Sequence, residues 1–229
     1  GDPMNFGVGS VLVRAFGEDA VIIHPAPGSF SLAAARMGWS IPDVECLTIH
    51  GRPLVALIKY IIPGARLLVL TSDGDSPAQV ASLLNEKGYG DSRISVLEHL
   101  GGDKENRLDG SAALWSYPYA QDLNTLAIEC VARVGVVPLS RVPGLPDDVF
   151  EHDGQLTKRE VRAATLAQLQ PLSGQVLWDI GAGSGSISIE WLRLGGHRWA
   201  IAIEKNPKRI APMKLNAVNL GAPDLIIVE

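Results

Sequence analysis

Residues 176–191, VLWDIGAGSGSISIEW, decide the fold of this chain. The stretch opens with an apolar run of strand length and closes with apolar residues at a spacing typical of a helix. Between them stand Gly181, Gly183 and Gly185, three glycines at alternate positions. Glycine allows positive φ and lets a ligand lie against the backbone, and free N–H groups at a helix start attract anionic groups and ligand oxygens. The stretch therefore predicts a strand, a ligand-binding turn and a helix.

A second strand follows the helix and narrows the choice of ligand. Residues 199–203 are apolar and end at Glu204, whose carboxylate can accept hydrogen bonds from both hydroxyls of a ribose. The dinucleotide fingerprint G-x-G-x-x-G is also followed by such an acid. Gly181 and Gly183 fit that fingerprint, but Ser186 stands where its third glycine should be. An ordinary tight turn, with Glu204 solvated at the strand end, is the alternative.

Composition limits the classes of protein. The chain has 229 residues, of which 46% are hydrophobic, so it can bury a sizeable core. Its net charge of −5 gives no support for a nucleic-acid surface. The two cysteines, Cys46 and Cys130, lie in apolar runs and are predicted to be buried thiols without a metal. No apolar run approaches the roughly 20 residues of a membrane helix, and no signal peptide is visible, so we expect a cytoplasmic protein without a membrane partner.

Strands alternate with helices along the whole chain, which indicates an α/β fold. Residues 101–110 are polar and predict a loop, and the proline-rich residues 137–154 predict a linker. Thr157 and Glu160 fit a capping box at the start of a helix that ends near residue 169. The other predicted strands are residues 20–24, 45–49, 65–71 (as in a parallel sheet), 93–97, 124–134 and 224–229, and the other predicted helices are residues 8–16, 32–37, 53–61, 76–87 and 206–219.

The motifs resemble two known families. The pattern D-x-G-x-G-x-G at residues 179–185 is similar to motif I of the class I S-adenosylmethionine methyltransferases. Together with GLPDDVFEHDGQLTKREVRAATLAQL, residues 144–169, it resembles the decarboxylating C15-methyltransferases of corrin biosynthesis. The first half resembles the tetrapyrrole methylases in GDPMNFGVG at the start, PAPGSFSLAAARMGW at residues 25–39 and HGRP at residues 50–53. In this order the two halves resemble the family of fused precorrin-6Y C5,15-methyltransferases (decarboxylating).

This resemblance implies a fold and an activity. It implies a tetrapyrrole methylase domain, residues 1–137, followed by a Rossmann-like class I methyltransferase domain, residues 138–229. Each is expected to be partial, since the family's N-terminal glycine-rich loop is missing and the match ends at Glu229. The implied activity is S-adenosylmethionine-dependent methylation of a precorrin at C5 and C15, with loss of CO₂ from an acetate arm, in cobalamin biosynthesis. The implied partners are the tetrapyrrole substrate and further copies of the chain.

The resemblance also implies the residues that bind S-adenosylmethionine, one group in each half of the chain. They are Gly1, Asp2 and Pro3 in the first half, and Thr157, Gly181, Ala182, Gly183, Ser184, Gly185 and Glu204 in the second. Thr157 is alternatively only the helix cap, and Asp179 is expected to order the loop. His152, Asp153 and Lys158 are candidates for proton transfer, but none is assigned. Lys158, Arg159 or Arg162 could bind carboxylates of the precorrin, or could form a solvated helix face.

Three other functions stay open. A nicotinamide-dependent oxidoreductase could use the same strand–turn–helix unit, although Ser186 counts against it. A non-catalytic scaffold is an alternative for the first half, since its family's N-terminal loop is missing. Methylation of protein or RNA lacks a basic surface and an NPPY-like signature.

Overall fold

The computed structural model describes all 229 residues, which divide into two compact units. Unit 1 comprises Gly1–Gly51 and Pro63–Val136, and unit 2 comprises Arg52–Ile62 and Val137–Glu229. The helices are α1 (Gly9–Phe16), α2 (Ser29–Met37), α3 (Ser76–Glu86), α4 (Arg159–Leu169), α5 (Ser186–Arg193) and α6 (Pro207–Asn219). The strands are β1 (Glu45–Thr48), β2 (Arg66–Leu70), β3 (Arg93–Glu98), β4 (Asn106–Ser111), β5 (Asn124–Glu129), β6 (Val176–Ile180), β7 (Trp199–Ile203) and β8 (Ile226–Val228). None of the helices combines the length and apolar character that crossing a bilayer requires.

Unit 1 is built on a five-stranded sheet in the order β1-β2-β5-β3-β4. Only β1 and β2 pair in parallel, and the other three pairs are antiparallel. The prediction of a parallel sheet around residues 65–71 is therefore correct for one edge of β2 and wrong for the other. Helix α2 covers one face, where Phe30, Ala33 and Ala34 pack against Leu68 and Leu97.

The sequence misplaces two segments of unit 1. Residues 101–110, predicted as a loop, contain most of β4, which pairs with β3 along its whole length. This edge strand carries polar side chains that stay largely outside the core, so it lacks the apolar alternation that reveals a strand. Residues 20–24, predicted as a strand, pair with no other strand. Of the two thiols, Cys130 is buried and Cys46 only partly so, and burial raises the pKa of Cys46.

Unit 2 is built on a three-stranded parallel sheet in the order β6-β7-β8. Helix α5 packs on β6 and β7, and its Ile189 and Trp191 lie in the core with Ala200 and Ala202 of β7. Side chains of β6 alternate between the helix-covered face and an exposed face. The first part of the quoted stretch is thus a strand with one partly buried face. The α/β class predicted from the sequence is confirmed in both units.

Residues 137–154, predicted as a linker, are instead anchored in unit 2. Leu145 and Phe150 are members of its core. Arg193, which is 1% exposed, donates hydrogen bonds to the carbonyls of Leu139 and Ser140 at 2.9 and 3.2 Å. Residues 52–62, predicted to belong to the first domain, also group with unit 2. The domain boundaries drawn from the sequence stay a prediction.

Candidate functional site

The glycine turn between β6 and α5 leaves space beside its backbone. Gly181, Gly183 and Gly185 have φ values of +79°, +57° and +77°, which residues other than glycine rarely adopt. A Cβ atom added at Gly181 or Gly183 would meet no atom within 4 Å, whereas one at Gly185 would lie 2.6 Å from Cγ of Met213. The first two glycines therefore border open space, and the third allows α5 and α6 to pack closely.

Glu204 closes the turn from behind. It is 4% exposed, and its two carboxylate oxygens accept hydrogen bonds from the backbone N–H groups of Asn206 and Gly183, at 2.8 and 2.9 Å. The bond from Asn206, the bond from Gly183 and the charges of Arg209 and Lys205 lower the pKa of Glu204, and burial opposes them. The carboxylate is therefore ionised at neutral pH, and each oxygen keeps capacity to accept a further hydrogen bond.

A cavity of about 350 Å³ lies against this turn. It is lined by three residues that precede α4, by the glycine turn and the start of α5, and by one residue of α6: Gln155, Leu156, Thr157, Gly181, Ala182, Gly183, Ser184, Ser186 and Arg209. The volume is within the range of small-molecule sites, roughly 300–1,000 Å³. Five of the predicted cofactor residues thus border one cavity, while Gly185 and Glu204 stand behind its wall.

Thr157 borders the cavity and is not a helix cap. Helix α4 begins at Arg159, its N-cap residue is Lys158, and no side chain caps it. The predicted capping box with Glu160 is therefore wrong, because Thr157 lies one residue too early. Its carbonyl instead accepts a hydrogen bond from Nη1 of Arg162.

Arg162 is an internal residue and does not belong to a solvated or substrate-binding helix face. It is 0% exposed, pairs with Glu190 at 2.9 Å and with Asp147 at 2.7 Å, and stacks on the ring of Phe150. Glu190 in turn accepts hydrogen bonds from the backbone N–H groups of Gly144 and Leu145. The pair fastens the predicted linker to α4 and α5. The signal for this role, an arginine on the same helical face as the buried Leu166, is weak without the fold.

The remaining candidates of unit 2 are held by neighbours. Asp179 accepts a hydrogen bond from Oγ of Ser188 at 2.7 Å, an arrangement consistent with ordering the turn. Asp153 pairs with Arg209 at 2.7 Å, and Nζ of Lys158 lies 3.7 Å from Asp147. Nδ1 of His152 accepts a hydrogen bond from the N–H of Gly154 at 3.0 Å.

Sequence reasoning misses Arg209 and Asn216, two residues of α6 that contact the cavity or the segments that line it. Arg209 borders the cavity itself. Asn216 is buried and joins Glu151 to the carbonyl of Ser184 through its side-chain amide. Nothing in the local sequence of α6 reveals these long-range bonds.

Gly1, Asp2 and Pro3 belong to unit 1 and are not part of this cavity. Oδ1 of Asp2 accepts a hydrogen bond from the N–H of Met4 at 2.9 Å, which closes a tight turn. A Cβ atom added at Gly7 would lie 2.5 Å from the carbonyl oxygen of Pro3, so the turn needs glycine there for close approach. No cluster of three or more potential metal ligands occurs in the structure.

Comparison with known proteins assigns the two halves of the chain. Residues 1–114 match the family model of tetrapyrrole (corrin/porphyrin) methylases, and residues 148–229 match that of the precorrin methyltransferase domain. A precorrin-6Y C(5,15)-methyltransferase [decarboxylating] of Sinorhizobium sp. is 47% identical over 229 residues, which is 100% of this chain. Over its whole length the chain is therefore similar to the precorrin-6Y C5,15-methyltransferases.

A second relative agrees with this similarity, which confirms the resemblance seen in the sequence. The relative of the same name from Mycobacterium tuberculosis is 41% identical over 222 residues, 96% of this chain. The chain spans 55% of the length of each of these two relatives. The crystal structure of the C-terminal domain of precorrin-6Y C5,15-methyltransferase from Rhodobacter capsulatus is 46% identical over 40% of this chain and 49% of that chain, with a TM-score of 0.37.

Proposed function

We propose that the cavity of unit 2 binds S-adenosylmethionine and that this unit methylates a precorrin at C15 with loss of CO₂ from an acetate side chain. We propose further that unit 1 serves the methylation at C5, since residues 1–114 match the tetrapyrrole methylases. One observation carries the proposal: an ionised, buried Glu204 lies directly behind an open glycine turn that shares a cavity with Thr157. The proposal includes a cytoplasmic location and a homo-oligomeric state.

The residues present fit an adenosyl ligand. The missing side chains of Gly181 and Gly183 leave the cradle open, since an added Cβ atom meets nothing within 4 Å. The carboxylate of Glu204 is suited to accept hydrogen bonds from ribose hydroxyls, because it is fixed by two backbone N–H groups and keeps its charge. S-adenosylmethionine has no pyrophosphate, so Ser186 in place of a third glycine is tolerable.

Methyl transfer depends mainly on positioning. When bound, S-adenosylmethionine supplies an electrophilic methyl group on a sulfonium that leaves as a neutral thioether. The chain's part is to hold the cofactor against residues 181–184 and to keep the acceptor carbon in line with the methyl group, an alignment worth several kcal/mol of barrier, on the order of 7–11 at most. No acid is needed for the leaving group.

Proton transfer and substrate binding keep fewer candidates than the sequence offers. Asp153 and Lys158 are engaged with Arg209 and Asp147, which leaves His152, in a small hollow that also contacts Ser184 and Arg209, as the candidate for proton transfer. Arg162 is too deeply buried to contact a substrate. Arg159, which is exposed at the start of α4, remains a candidate for binding a precorrin carboxylate.

Calorimetric titration of the chain with S-adenosylhomocysteine and with NADH tests the cofactor. We expect binding of S-adenosylhomocysteine only, and a Kd raised roughly 10- to 100-fold in Glu204→Gln, since hydrogen bonds to a charged group contribute about 1.5–3 kcal/mol. The matched control is Glu105→Gln in unit 1, an exposed carboxylate outside the cavity, which should leave the Kd unchanged. Binding of NADH instead would show that the cavity belongs to an oxidoreductase.

Product mass tests the reaction. Incubation with labelled S-adenosylmethionine and reduced precorrin-6Y should yield a product that has gained methyl groups and lost CO₂. An unmethylated product in the presence of bound cofactor would refute the proposed activity.

A further inference from the structure

Residues 151–157, here called the rim, have no regular secondary structure, and the last three of them line the cavity. Gln155, Leu156 and Thr157 face the cavity, and of the rim's side chains only Leu156 is partly buried. A wall this exposed has little apolar packing to hold it, so its position depends on specific hydrogen bonds.

Both ends of the rim are fixed by buried groups. The side-chain amide of Asn216, which is 1% exposed, accepts a hydrogen bond from the N–H of Glu151 at 2.8 Å and donates one to its carbonyl at 2.9 Å. At the other end the carbonyl of Thr157 accepts a hydrogen bond from the fully buried Arg162. Because the side chains of Asn216 and Arg162 are buried, water competes poorly for these hydrogen bonds, and both ends of the rim are held firmly.

The middle of the rim is held by one partly exposed arginine. Nε of Arg209 donates to Oδ2 of Asp153 at 2.7 Å, and Nη2 donates to Oε1 of Gln155. Between these two residues stands Gly154, with φ at +95°. Arg209 lies in the first turn of α6 and also lines the cavity. Its guanidinium therefore joins α6 to the middle of the rim.

Charges around this contact come from both walls. The bond from Arg209 and that from the N–H of Gln155 lower the pKa of Asp153. His152 and Lys208 border the adjoining small hollow together with Arg209. Partly exposed ion pairs of this kind are weak and are screened by salt, in contrast to the buried anchors at the two ends.

We propose that Arg209 is a positioning residue of the cavity: its hydrogen bonds to Asp153 and Gln155 hold the rim in place, and their release lets the rim move when the adenosyl ligand enters or leaves. The inference rests on the proposed function for the identity of that ligand. Arg209 acts through the rim, so its loss should change the rates of ligand exchange without unfolding the unit.

Hydrogen exchange of the ligand-free chain tests whether Arg209 holds the rim in place. Arg209→Gln and Asp153→Asn should each speed exchange of the backbone amides of residues 153–157 and leave those of α4 unchanged. Arg36→Gln, which breaks an exposed pair in unit 1, is the matched control and should leave the rim unchanged. Unaltered exchange at the rim in both variants would overturn the inference.

Stopped-flow binding of S-adenosylhomocysteine tests the consequence. Each variant should release the ligand about two- to five-fold faster than the wild type, as expected for loss of an exposed ion pair. The double variant should match Arg209→Gln, because that single change already removes both contacts of the arginine, whereas Asp153→Asn leaves the contact with Gln155. Raising the salt concentration should speed release from the wild type only. Multiplicative effects in the double variant, or equal rates throughout, would contradict the inference, whereas a wild type that binds no S-adenosylhomocysteine would contradict the proposed function instead.

Discussion

The two units place their charged side chains differently. In unit 1 the arginines lie at the surface, as Arg36 does beside Glu105. The buried Glu98 accepts hydrogen bonds from the side-chain amide of Asn106 and the backbone N–H of Gln121. In unit 2 two arginines are buried, Arg162 against Glu190 and Arg193 against backbone carbonyls. Burial lowers the pKa of Arg193 to about 10. The difference shows that unit 2 uses buried charge to fasten irregular segments beside its cavity, whereas unit 1 relies on its sheet.

The largest expected effect comes from breaking a buried pair. Arg162→Met leaves the carboxylate of Glu190 without its cation and frees the carbonyl of Thr157. The free energy of unfolding of unit 2 should fall by about 3–5 kcal/mol, measured by denaturant titration. Arg36→Met in unit 1 is the control for removing an arginine as such. An equal loss of stability in Arg162→Met and Arg36→Met would contradict the contrast between the two units.

A smaller effect is expected from glycines with the same backbone conformation in different surroundings. Gly185→Ala in unit 2 places a Cβ atom 2.6 Å from the buried Met213, whereas Gly38→Ala in unit 1 meets nothing within 4 Å. Both have positive φ, which alone costs about 1–2 kcal/mol. Overpacking should add about 1–3 kcal/mol at Gly185 only. Thermal unfolding of both variants measures the difference, and equal losses would mean that α6 yields without cost.

Acid is expected to weaken both units alike. Hydrogen bonds from Arg36 and from the N–H of Gly101 lower the pKa of Glu105 to about 2, and arginine partners lower the pKa of Asp147 and of Asp153. Because these groups bind protons more weakly in the folded chain, their stabilisation is complete above the ordinary carboxylate pKa. It is lost as the pH falls through the lowered values. Denaturant titrations should show a decline from about pH 4.5 towards pH 2, and a flat profile there would contradict the assigned hydrogen bonds.

The smallest effect is expected at the surface of unit 1. Arg36→Ala should lower the unfolding midpoint only slightly, since Arg36 and Glu105 are exposed to water and solvent screens their interaction. It should nevertheless raise the pKa of Glu105 towards its ordinary value, because the main cause of the lowering is removed. An NMR titration of the Glu105 carboxyl carbon reads this directly, and an unshifted pKa would show that the pair does not form in solution.

Local signals predicted the glycine turn, β7 with its terminal Glu204, and α6 within one or two residues, since each rests on glycine, proline or apolar spacing. They failed where a residue far along the chain determines the local structure. Strand β4 is polar and exists because β3 offers an edge. The predicted linker is ordered by Arg162, Arg193 and Glu190, which stand 15–54 residues away in sequence. The wall of the cavity was therefore only half predictable.

One buried amide links the two walls of the cavity. Asn216 donates to the carbonyl of Ser184 in the glycine turn and bonds both backbone groups of Glu151 in the rim. A ligand that rigidifies the glycine turn or the rim therefore reduces the conformational entropy that the other segment loses when it becomes ordered. We therefore expect ligand binding in the cavity and ordering of the rim to be coupled through Asn216.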